Sequence, residues 1–390
     1  MIKILDHINQ NPYNFFFLVV DDSLDITLPE LKNFYLIYAY KNPRIKFLKE
    51  QNISYFCLEE HGIKLKVKNS GKLLSNPKVI TYIKNISQQN KRTPAIIPFK
   101  PSAKIDNICQ KQGWLLVSNP ASTNRLLEDK IKFPQLCAKY NISQIPYAIG
   151  KFNQEKFTKY QNEFGQKLVV QTHFGWAGNS TYLLSDWQTG KRIIPLNSQV
   201  KFSPFKEGYT LLNNCCLTRH GLIQSPPALQ FTGIKPLTQN PFTTVGRQWP
   251  STAPQNILNQ VKDITEKFSK ILIKQKYRGF FGLDFFVEKD QVYLLECNPR
   301  LTASFAFYTG LEKAVGITPL FYFHLAELTN IKYSIDIEEE QSRFSNPEII
   351  GTELTPKNKD NITIKKIHIP STIHSVQNYS NLNLHIPNYD

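Results

Sequence analysis

Residues 279–304 read GFFGLDFFVEKDQVYLLECNPRLTAS, which is two apolar runs joined by the polar residues EKD. The two runs predict β-strands, and the short polar segment predicts an antiparallel hairpin. The second strand ends on Glu296, Asn298 and Arg300, and polar side chains of this kind are expensive to bury unless something pairs with them. The hairpin therefore predicts a bound ligand at its end.

Alternation along a strand places Glu296 and Asn298 on one face, and it places Gly282 and Asp284 on one face of the partner strand. With a three-residue turn, Asp284 is expected opposite Leu294 and diagonal to Glu296, roughly 7 to 8 Å away at the backbone. Gly282 is expected to leave room for an ion between the carboxylates. Carboxylate and amide oxygens are hard ligands that suit Mg²⁺.

Arg300 follows the strand, and its planar guanidinium suits a transferred phosphoryl group or a carboxylate. The alternative is an ion pair between Glu296 and Arg300 on a hairpin that binds nothing. Asp284, at a matching position on the partner strand, favours the metal site over that alternative.

Upstream of the hairpin, the first 120 residues alternate apolar runs with helical segments. Four short runs predict buried parallel strands, and KNPRIKFLKEQNI and SAKIDNICQKQG predict helices between them. This βαβ rhythm predicts one α/β domain. The four runs are FFFLVV (15–20), FYLIYA (34–39), AIIPF (95–99) and WLLVS (114–118).

Three further segments complete the prediction. STNRLLEDKIKFPQLCAKYNI (122–142) predicts a helix, and KLVVQTHFGWAGNSTYLL (167–184) predicts a hairpin with a glycine-bearing loop. NILNQVKDITEKFSKILIKQKY (256–277) is the clearest helical pattern in the chain, because its apolar residues recur at spacings of three and four.

The motif Gly-x-x-Gly-x-Asp-Phe followed by Glu-x-Asn-Pro-Arg resembles the magnesium-binding end of the ATP-grasp superfamily, of the carboxylate–amine or carboxylate–thiol ligase type. The order of segments over residues 1–330 is similar to that family as well. The resemblance implies a multidomain α/β and α+β protein, in which a pre-ATP-grasp α/β domain precedes a two-lobed ATP-grasp fold with antiparallel sheets. The expected parts are the α/β domain (1–120), the lid subdomain with its glycine-rich hairpin (121–205), the central subdomain with the metal site (206–330) and a polar C-terminal extension (331–390).

The resemblance also implies roles for the residues of the hairpin. Asp284, Glu296 and Asn298 are expected to hold Mg²⁺ bound to the phosphates of ATP. Arg300 is expected to act as the catalytic residue, in contact with the transferred phosphate or with the acyl phosphate.

Nucleotide contacts are implied outside the hairpin. Lys130 is expected to reach the phosphates from the helix before the lid, and Gly175 and Gly178 are expected to let the loop backbone approach them. The chain departs from the family at Gln171, where many relatives carry a lysine, so this position supplies no charge. Lys201 is the candidate to take over a phosphate contact.

The activity that the resemblance implies is ATP-dependent ligation. ATP phosphorylates a carboxylate to an acyl phosphate, and an amine or thiol then displaces phosphate, so that ADP and phosphate are released. The expected cofactors are ATP and Mg²⁺, and the expected partners are small carboxylic acids and amines, amino acids among them. The alternative is a catalytically reduced, ATP-binding regulatory module.

Composition constrains the partners. The 390 residues carry 47 Lys and Arg against 31 Asp and Glu, a net charge of +16, but the surplus is spread along the chain rather than clustered as nucleic-acid binding requires. No nucleic-acid partner is expected. The longest N-terminal apolar run, FFFLVV, is far shorter than the ~20 residues of a membrane span, so no membrane partner is expected. Six cysteines without a CxxC spacing fit a reduced cytoplasmic protein. A homodimer is left open.

Overall fold

The computed structural model describes residues 2–21, 24–175, 180–234 and 237–355. Within these ranges the chain forms three β-sheets, of five, seven and four strands. No helix of the described ranges combines the length and the apolar character that crossing a membrane requires.

The five-stranded sheet is parallel, with the strand order β3-β2-β1-β4-β5. Phe15 and Phe17 pack on one side of it and Phe16 on the other, all fully buried, as expected for a sheet covered on both faces. The predicted parallel strands are confirmed. The strands are β1 (Tyr13–Val19), β2 (Phe34–Tyr38), β3 (Tyr55–Cys57), β4 (Thr93–Pro98) and β5 (Leu115–Leu116).

Helices flank the parallel sheet. The two predicted helices are present as α2 and α5, whereas α1, α3 and α4 lie outside the predicted elements. The bounds are α1 (Ile2–Gln10), α2 (Arg44–Glu50), α3 (Ser70–Leu74), α4 (Pro77–Asn90) and α5 (Ala103–Gln112), with a 3-10 turn at Leu58–His61.

The four-stranded sheet is antiparallel, in the order β6-β9-β7-β8, and the helices α8 and α9 cover its apolar core. Strands β7 and β8 form the predicted glycine-loop hairpin. The elements are β6 (Ala148–Lys151), α8 (Gln154–Phe164), β7 (Leu168–Gln171), β8 (Thr181–Leu184), α9 (Trp187–Ile193) and β9 (Gln199–Pro204).

The seven-stranded sheet is also antiparallel, in the order β15-β14-β10-β12-β13-β16, with β11 paired to β10. Its strands are β10 (Tyr209–Thr218), β11 (Gly221–Gln224), β12 (Ala228–Thr232), β13 (Thr244–Trp249), β14 (Gly279–Glu288), β15 (Gln291–Asn298) and β16 (Gly351–Leu354). The helices packed around it are α10 (Gln255–Lys274), α11 (Phe305–Ala314), α12 (Leu320–Leu328) and α13 (Ile337–Ser342), with a 3-10 turn at Arg343–Ser345.

Strand β16 belongs to the segment that was predicted as a polar extension, and it pairs with β13. The division of the chain at residues 120, 205 and 330 stays a prediction.

The single helix predicted over residues 122–142 is wrong, because the structure has α6 (Ala121–Glu128) and α7 (Lys132–Ala138) with a break between them. The Asp129 carboxylate accepts the backbone N–H groups of Ile131 at 3.0 Å and Lys132 at 3.2 Å, which satisfies donors at the start of α7. The backbone N–H of Lys130 donates to the carbonyl of His173 at 2.9 Å. Lys130 therefore lies in the break rather than on a helix.

Candidate functional site

The turn of the β14–β15 hairpin is two residues long. Glu288 pairs with Gln291, and Lys289 between them has φ +52°, the left-handed conformation that such turns require. The predicted turn of three residues is wrong, because Val287 lies opposite Val292 instead of Gln291. The pairing along the hairpin is thereby shifted by one residue from the prediction.

A β-bulge then shifts the register a second time. Phe285 lies opposite Leu294, but the next residue, Asp284, lies opposite Glu296. The prediction that Asp284 faces Leu294 is wrong, because alternation alone does not reveal one extra residue in a strand. The bulge brings the two carboxylates to directly opposite positions, closer than the predicted diagonal.

Gly282 lies opposite Asn298, and the space beside it is taken by Thr302. A Cβ at position 282 would come within 2.3 Å of the Thr302 methyl carbon. The Thr302 hydroxyl donates to Asn214 Oδ1 at 2.8 Å, and Asn214 Nδ2 donates to Ser304 Oγ at 3.2 Å. The expectation that Gly282 leaves room for an ion is therefore wrong; the glycine admits the loop that follows β15.

Two amide groups hold the Asp284 carboxylate. Gln230 Nε2 donates to Oδ1 and Asn298 Nδ2 donates to Oδ2, each at 2.7 Å. Burial and then the charge of Glu296 raise the pKa of Asp284 to about 7. Asp284 is thus oriented for coordination, but its negative charge is poorly compensated.

Glu296 is paired with Lys130, whose Nζ donates to Oε2. Burial acts to raise the pKa of Glu296, but the charge and hydrogen bond of Lys130, followed by the charge of Arg300, outweigh it and lower the pKa. The break between α6 and α7 therefore places the Lys130 ammonium next to the Glu296 carboxylate.

Arg300 is held by three hydrogen bonds to the protein. Its Nε donates to Glu128 Oε1 at 2.8 Å, its Nη2 to Asn298 Oδ1 at 2.9 Å and its Nη1 to the Leu301 carbonyl at 2.9 Å. The carboxylate partner of Arg300 is thus Glu128, and the simple Glu296–Arg300 ion pair considered as the alternative is not formed.

Glu128 connects Arg300 to the parallel sheet. Lys100, just after β4, lies 2.5 Å from Glu128 Oε2, and the guanidinium of Arg300 lies 4.8 Å from the ring centre of Phe99. Burial opposes ionisation of Glu128, but the charges of Arg300 and Lys100 lower its pKa. Two cations therefore share one buried carboxylate.

A cavity of about 450 Å³ lies between the four-stranded and the seven-stranded sheets. Gln171 and Lys201 line it from directly opposite positions on β7 and β9. Burial, and then the charge of Lys130, lower the pKa of Lys201 to about 8. The lining also includes Val169, Ser203, Thr210, Gln230, Phe286 and Leu294.

The loop after β7 begins next to Lys130. The His173 ring contacts the Asp129 carboxylate at 2.9 and 3.1 Å, so the break between α6 and α7 anchors the start of the loop. A Cβ on Gly175 would lie 2.2 Å from Ser180 Oγ, which explains a glycine at this position. Gly178 lies outside the described residues.

The structure thus brings most of the predicted residues together. Lys130 donates to Glu296, Asn298 donates to Asp284, and Arg300 donates to Asn298. Asp284 and Glu296 join the two groups as cross-strand neighbours, and Gln171 and Lys201 line the adjoining cavity. Sequence reasoning missed Glu128, Asp129 and Gln230, and it assigned no role to His173. The polar triplet Glu128-Asp129-Lys130 inside a helical pattern and the lone Gln230 in an apolar strand were the available signals.

A divalent cation fits this donor set. The described part of the chain has no group of three or more His, Cys, Asp or Glu residues that could hold a metal ion, so a cation here would use two carboxylates and an amide oxygen, with other ligands from outside the protein. The raised pKa of Asp284 reflects burial and the proximity of two negative charges, which a bound cation would relieve.

Residues 117–304 match the ATP-grasp domain family. The large chain of carbamoyl phosphate synthase from Thermus thermophilus is 22% identical over 259 residues, which cover 63% of this chain and 24% of that protein. The chain therefore spans about a quarter of the length of this curated relative.

Solved structures show a similar fold. N5-carboxyaminoimidazole synthetase from Staphylococcus aureus, complexed with ADP, has a TM-score of 0.56 at 13% identity and matches 83% of this chain and 79% of that one. The biotin carboxylase domain dimer of 2-oxoglutarate carboxylase from Hydrogenobacter thermophilus, in complex with MgADP, ADP and bicarbonate, has a TM-score of 0.57 at 10% identity and matches 84% and 72%. These likenesses confirm the predicted fold class.

Proposed function

Because residues 117–304 of this chain form an ATP-grasp domain, we propose that the protein is a ligase that uses ATP and Mg²⁺ to activate a carboxylate. A substrate carboxylate oxygen attacks the γ-phosphorus of ATP, and the bond to the β-phosphate oxygen breaks to release ADP. An amine or thiol then attacks the carbonyl carbon of the acyl phosphate, loses its proton and expels inorganic phosphate. The product is an amide or a thioester.

The observation that carries this proposal is the facing pair of carboxylates beside the cavity. Asp284 and Glu296 occupy opposite positions on neighbouring strands, and Asn298 adds an amide next to them. We propose that these three residues hold Mg²⁺, which would neutralise phosphate charge during phosphoryl transfer. Gln230 and Asn298 orient Asp284 before any ligand binds, so the Asp284 carboxylate itself needs little reorganisation.

The cavity lined by Lys201 is the proposed binding site for the nucleotide. Its volume of about 450 Å³ falls in the range of small-molecule sites, and Phe286 and Leu294 give it apolar walls. We propose that the base and ribose occupy the cavity while Lys130 and Lys201 contact the phosphates. Gly175 is proposed to bring the loop backbone close to the same phosphates, and Gly178 remains a candidate for the same role.

Arg300 is proposed to stabilise the transferred phosphoryl group. Its side chain is one-tenth exposed, and its three hydrogen bonds fix the plane of the guanidinium before the substrate arrives. A donor held in place in this way stabilises developing charge without reorganising during the reaction.

The proposed substrates are a small carboxylic acid and a small amine or thiol, with amino acids among them. Bicarbonate belongs in the same group, because the Hydrogenobacter domain was solved with bicarbonate and MgADP. Phosphorylation of any of these acids converts a poor electrophile into one with a good leaving group.

The test is Mg²⁺-dependent ADP formation by the purified protein, measured against pooled amino acids, small carboxylic acids and bicarbonate. Release that requires a particular acid, vanishes in Glu296→Ala and falls about a hundredfold or more in Arg300→Ala is the expected result. Release that is indifferent to both substitutions would refute the assigned site.

The second candidate is a regulatory module that binds ATP without ligating. Gln171 favours it, because a charge that many relatives supply from β7 is missing here. Thermal stabilisation by MgATP that Glu296→Ala abolishes, with no ADP formed from any acid tested, would identify this second function.

A further inference from the structure

We propose that Lys130 is a built-in counter-ion of the metal site, which a divalent cation must displace, so that metal and nucleotide bind cooperatively. The inference rests on the proposed function and extends it. It assigns Lys130 a second state, in contact with Glu296, besides its proposed contact with phosphate.

The contacts of Lys130 define that state. Its Nζ donates to Glu296 Oε2, and the side chain of Lys130 is 13% exposed. Asp284 lies directly opposite Glu296, and the charge of Lys130 acts to lower the pKa of both carboxyls. The lysine thus partly neutralises the same pair of carboxylates that would hold the metal.

Lys130 can leave Glu296 without refolding. Its backbone is fixed by the hydrogen bond from its N–H to the His173 carbonyl, whereas the four-carbon side chain is flexible. Within the described ranges, Glu296 is the one side chain that accepts a hydrogen bond from Nζ. Exchange of Glu296 for another acceptor therefore needs only a rotation of the lysine side chain.

Cooperativity follows from where the displaced ammonium goes. A metal ion that binds alone leaves Lys130 beside another cation and without an acceptor, which opposes binding. When phosphates are present they accept the ammonium, so the metal gains Glu296 while Lys130 keeps a partner. By reciprocity, the metal must strengthen nucleotide binding by the same factor as the nucleotide strengthens metal binding.

The experiment measures Mn²⁺ binding by electron paramagnetic resonance of the free ion, with and without ADP, in the full chain and in Lys130→Met. For the unsubstituted protein we expect weak Mn²⁺ binding that ADP strengthens about tenfold or more, within the usual range of coupling. In Lys130→Met, Mn²⁺ alone should bind about tenfold more tightly, and ADP should add little. Unchanged Mn²⁺ affinity or unchanged coupling in the variant would overturn the inference.

Two control variants distinguish displacement of Lys130 from Glu296 from the effect of removing any nearby positive charge. Lys132→Met removes an exposed lysine two residues away and should behave like the unsubstituted protein. Lys201→Met removes a nearby cation without a hydrogen bond to Glu296, so it should raise the affinity for Mn²⁺ less than Lys130→Met does. If Lys201→Met raised the affinity for Mn²⁺ as much as Lys130→Met does, charge alone would be responsible, and the inference would also be overturned.

The outcomes also separate this inference from the proposed function. If the unsubstituted protein binds neither Mn²⁺ nor ADP, the proposed nucleotide site fails and the inference fails with it. If it binds both, and Lys130→Met leaves their coupling intact, only the inference fails. Thermal unfolding of each variant confirms that the measurement is made on folded protein.

Discussion

Asp284 is the residue whose protonation state would determine binding at the proposed metal site. Its raised pKa of about 7 against an ordinary 3.8 means that the metal-free folded protein holds a proton here that the unfolded chain has released. The contribution of Asp284 to the free energy of unfolding therefore decreases as pH rises from about 4 to about 7. Glu296 acts in the opposite direction, because the stabilisation from its lowered pKa is lost as pH falls. The pH dependence of stability mixes the two effects, so metal affinity is the clearer readout.

We expect the affinity for Mn²⁺ alone to rise with pH by up to about tenfold per unit below pH 7 and to level off above it, since a metal ligand must be deprotonated. Titration by calorimetry between pH 6 and 8, without nucleotide, makes the measurement. Asp284→Asn should bind weakly at every pH in this range. An affinity that stays flat from pH 6 to 7 in the unsubstituted protein would contradict the expectation.

The sequence predicted the candidate ligands of this site but not the residues that hold them in place. Asp284, Glu296 and Asn298 were recognisable because polar residues at the end of an apolar strand require an explanation. The hydrogen bond from Gln230 to Asp284 joins residues 54 positions apart, and that from Arg300 to Glu128 joins residues 172 apart. Neither partner is recognisable from spacing, because strand order and helix placement bring them together.

In the four-stranded sheet, the lysine lies on a different strand from the one that the family resemblance implies. Many relatives carry it at the position of Gln171 on β7, whereas this chain has Lys201 on β9. Gln171 on β7 and Lys201 on β9 are direct cross-strand partners, and side chains at such positions lie about 5 Å apart at Cβ. A lysine on either strand can therefore extend into the same end of the cavity. The sheet keeps a cation at this place although the position where many relatives carry a lysine is a glutamine here.

A charge exchange between the strands tests this interpretation. Lys201→Gln should weaken MgADP binding about tenfold, as expected for a lost charge-assisted contact, and Gln171→Lys added to it should restore most of the affinity. Calorimetric titration with MgADP compares the single and double variants. Thr181→Val, which removes the hydrogen-bond partner of Gln171 at 3.0 Å, serves as a control that leaves Lys201 in place. Failure of the double variant to recover would show that Lys201 acts at another position.

Element types were more predictable than their junctions. Buried parallel strands and amphipathic helices can be predicted from the spacing of apolar residues, because many residues contribute to that pattern. The break at Asp129 depends on one side chain that accepts two backbone N–H groups, and the bulge after Asp284 depends on one extra residue. Single-residue events of this kind do not change the period, and both fall within the candidate site.

On the scale of the whole molecule, the site is enclosed by segments far apart in the chain. Lys100 and Phe99 reach Glu128 and Arg300 from the end of the parallel sheet. On the same side, the side chain of Asn119 pairs with the backbone of Arg278, donating at 2.7 Å and accepting at 3.1 Å. The parallel sheet and the β14–β15 hairpin are thus joined by contacts at Arg300 and at the start of β14.

The segment after residue 330 is tied to the rest of the molecule by a buried ion pair. Arg343 Nη1 donates to Glu312 Oε1 at 2.8 Å, with side-chain exposures of 3% and 0%. Burial raises the pKa of Glu312 to about 8 in spite of the charge of Arg343. Arg343→Met would therefore leave a buried carboxyl group that must either stay charged without its cation or bind a proton, and we expect a loss of about 3 to 5 kcal/mol in the free energy of unfolding. Denaturant unfolding followed by circular dichroism measures the loss. Lys46→Met, from an exposed pair with Glu50, is the matched control and should change stability by less than about 0.5 kcal/mol.

The double variant Glu312→Gln/Arg343→Met distinguishes an uncompensated charge from lost packing. If the charge dominates, the double variant is more stable than Arg343→Met alone, because no buried carboxylate remains unpaired. If packing dominates, the second substitution adds to the loss, since the Glu312 carboxylate also accepts the backbone N–H of Leu320 at 3.1 Å. We expect the first outcome, because Arg343 is the nearest cation to a carboxylate that has no exposure to water. The ion pair would then be a requirement imposed by burying Glu312, and the segment that carries Arg343 would be needed for the stability of α11, the helix that carries Glu312.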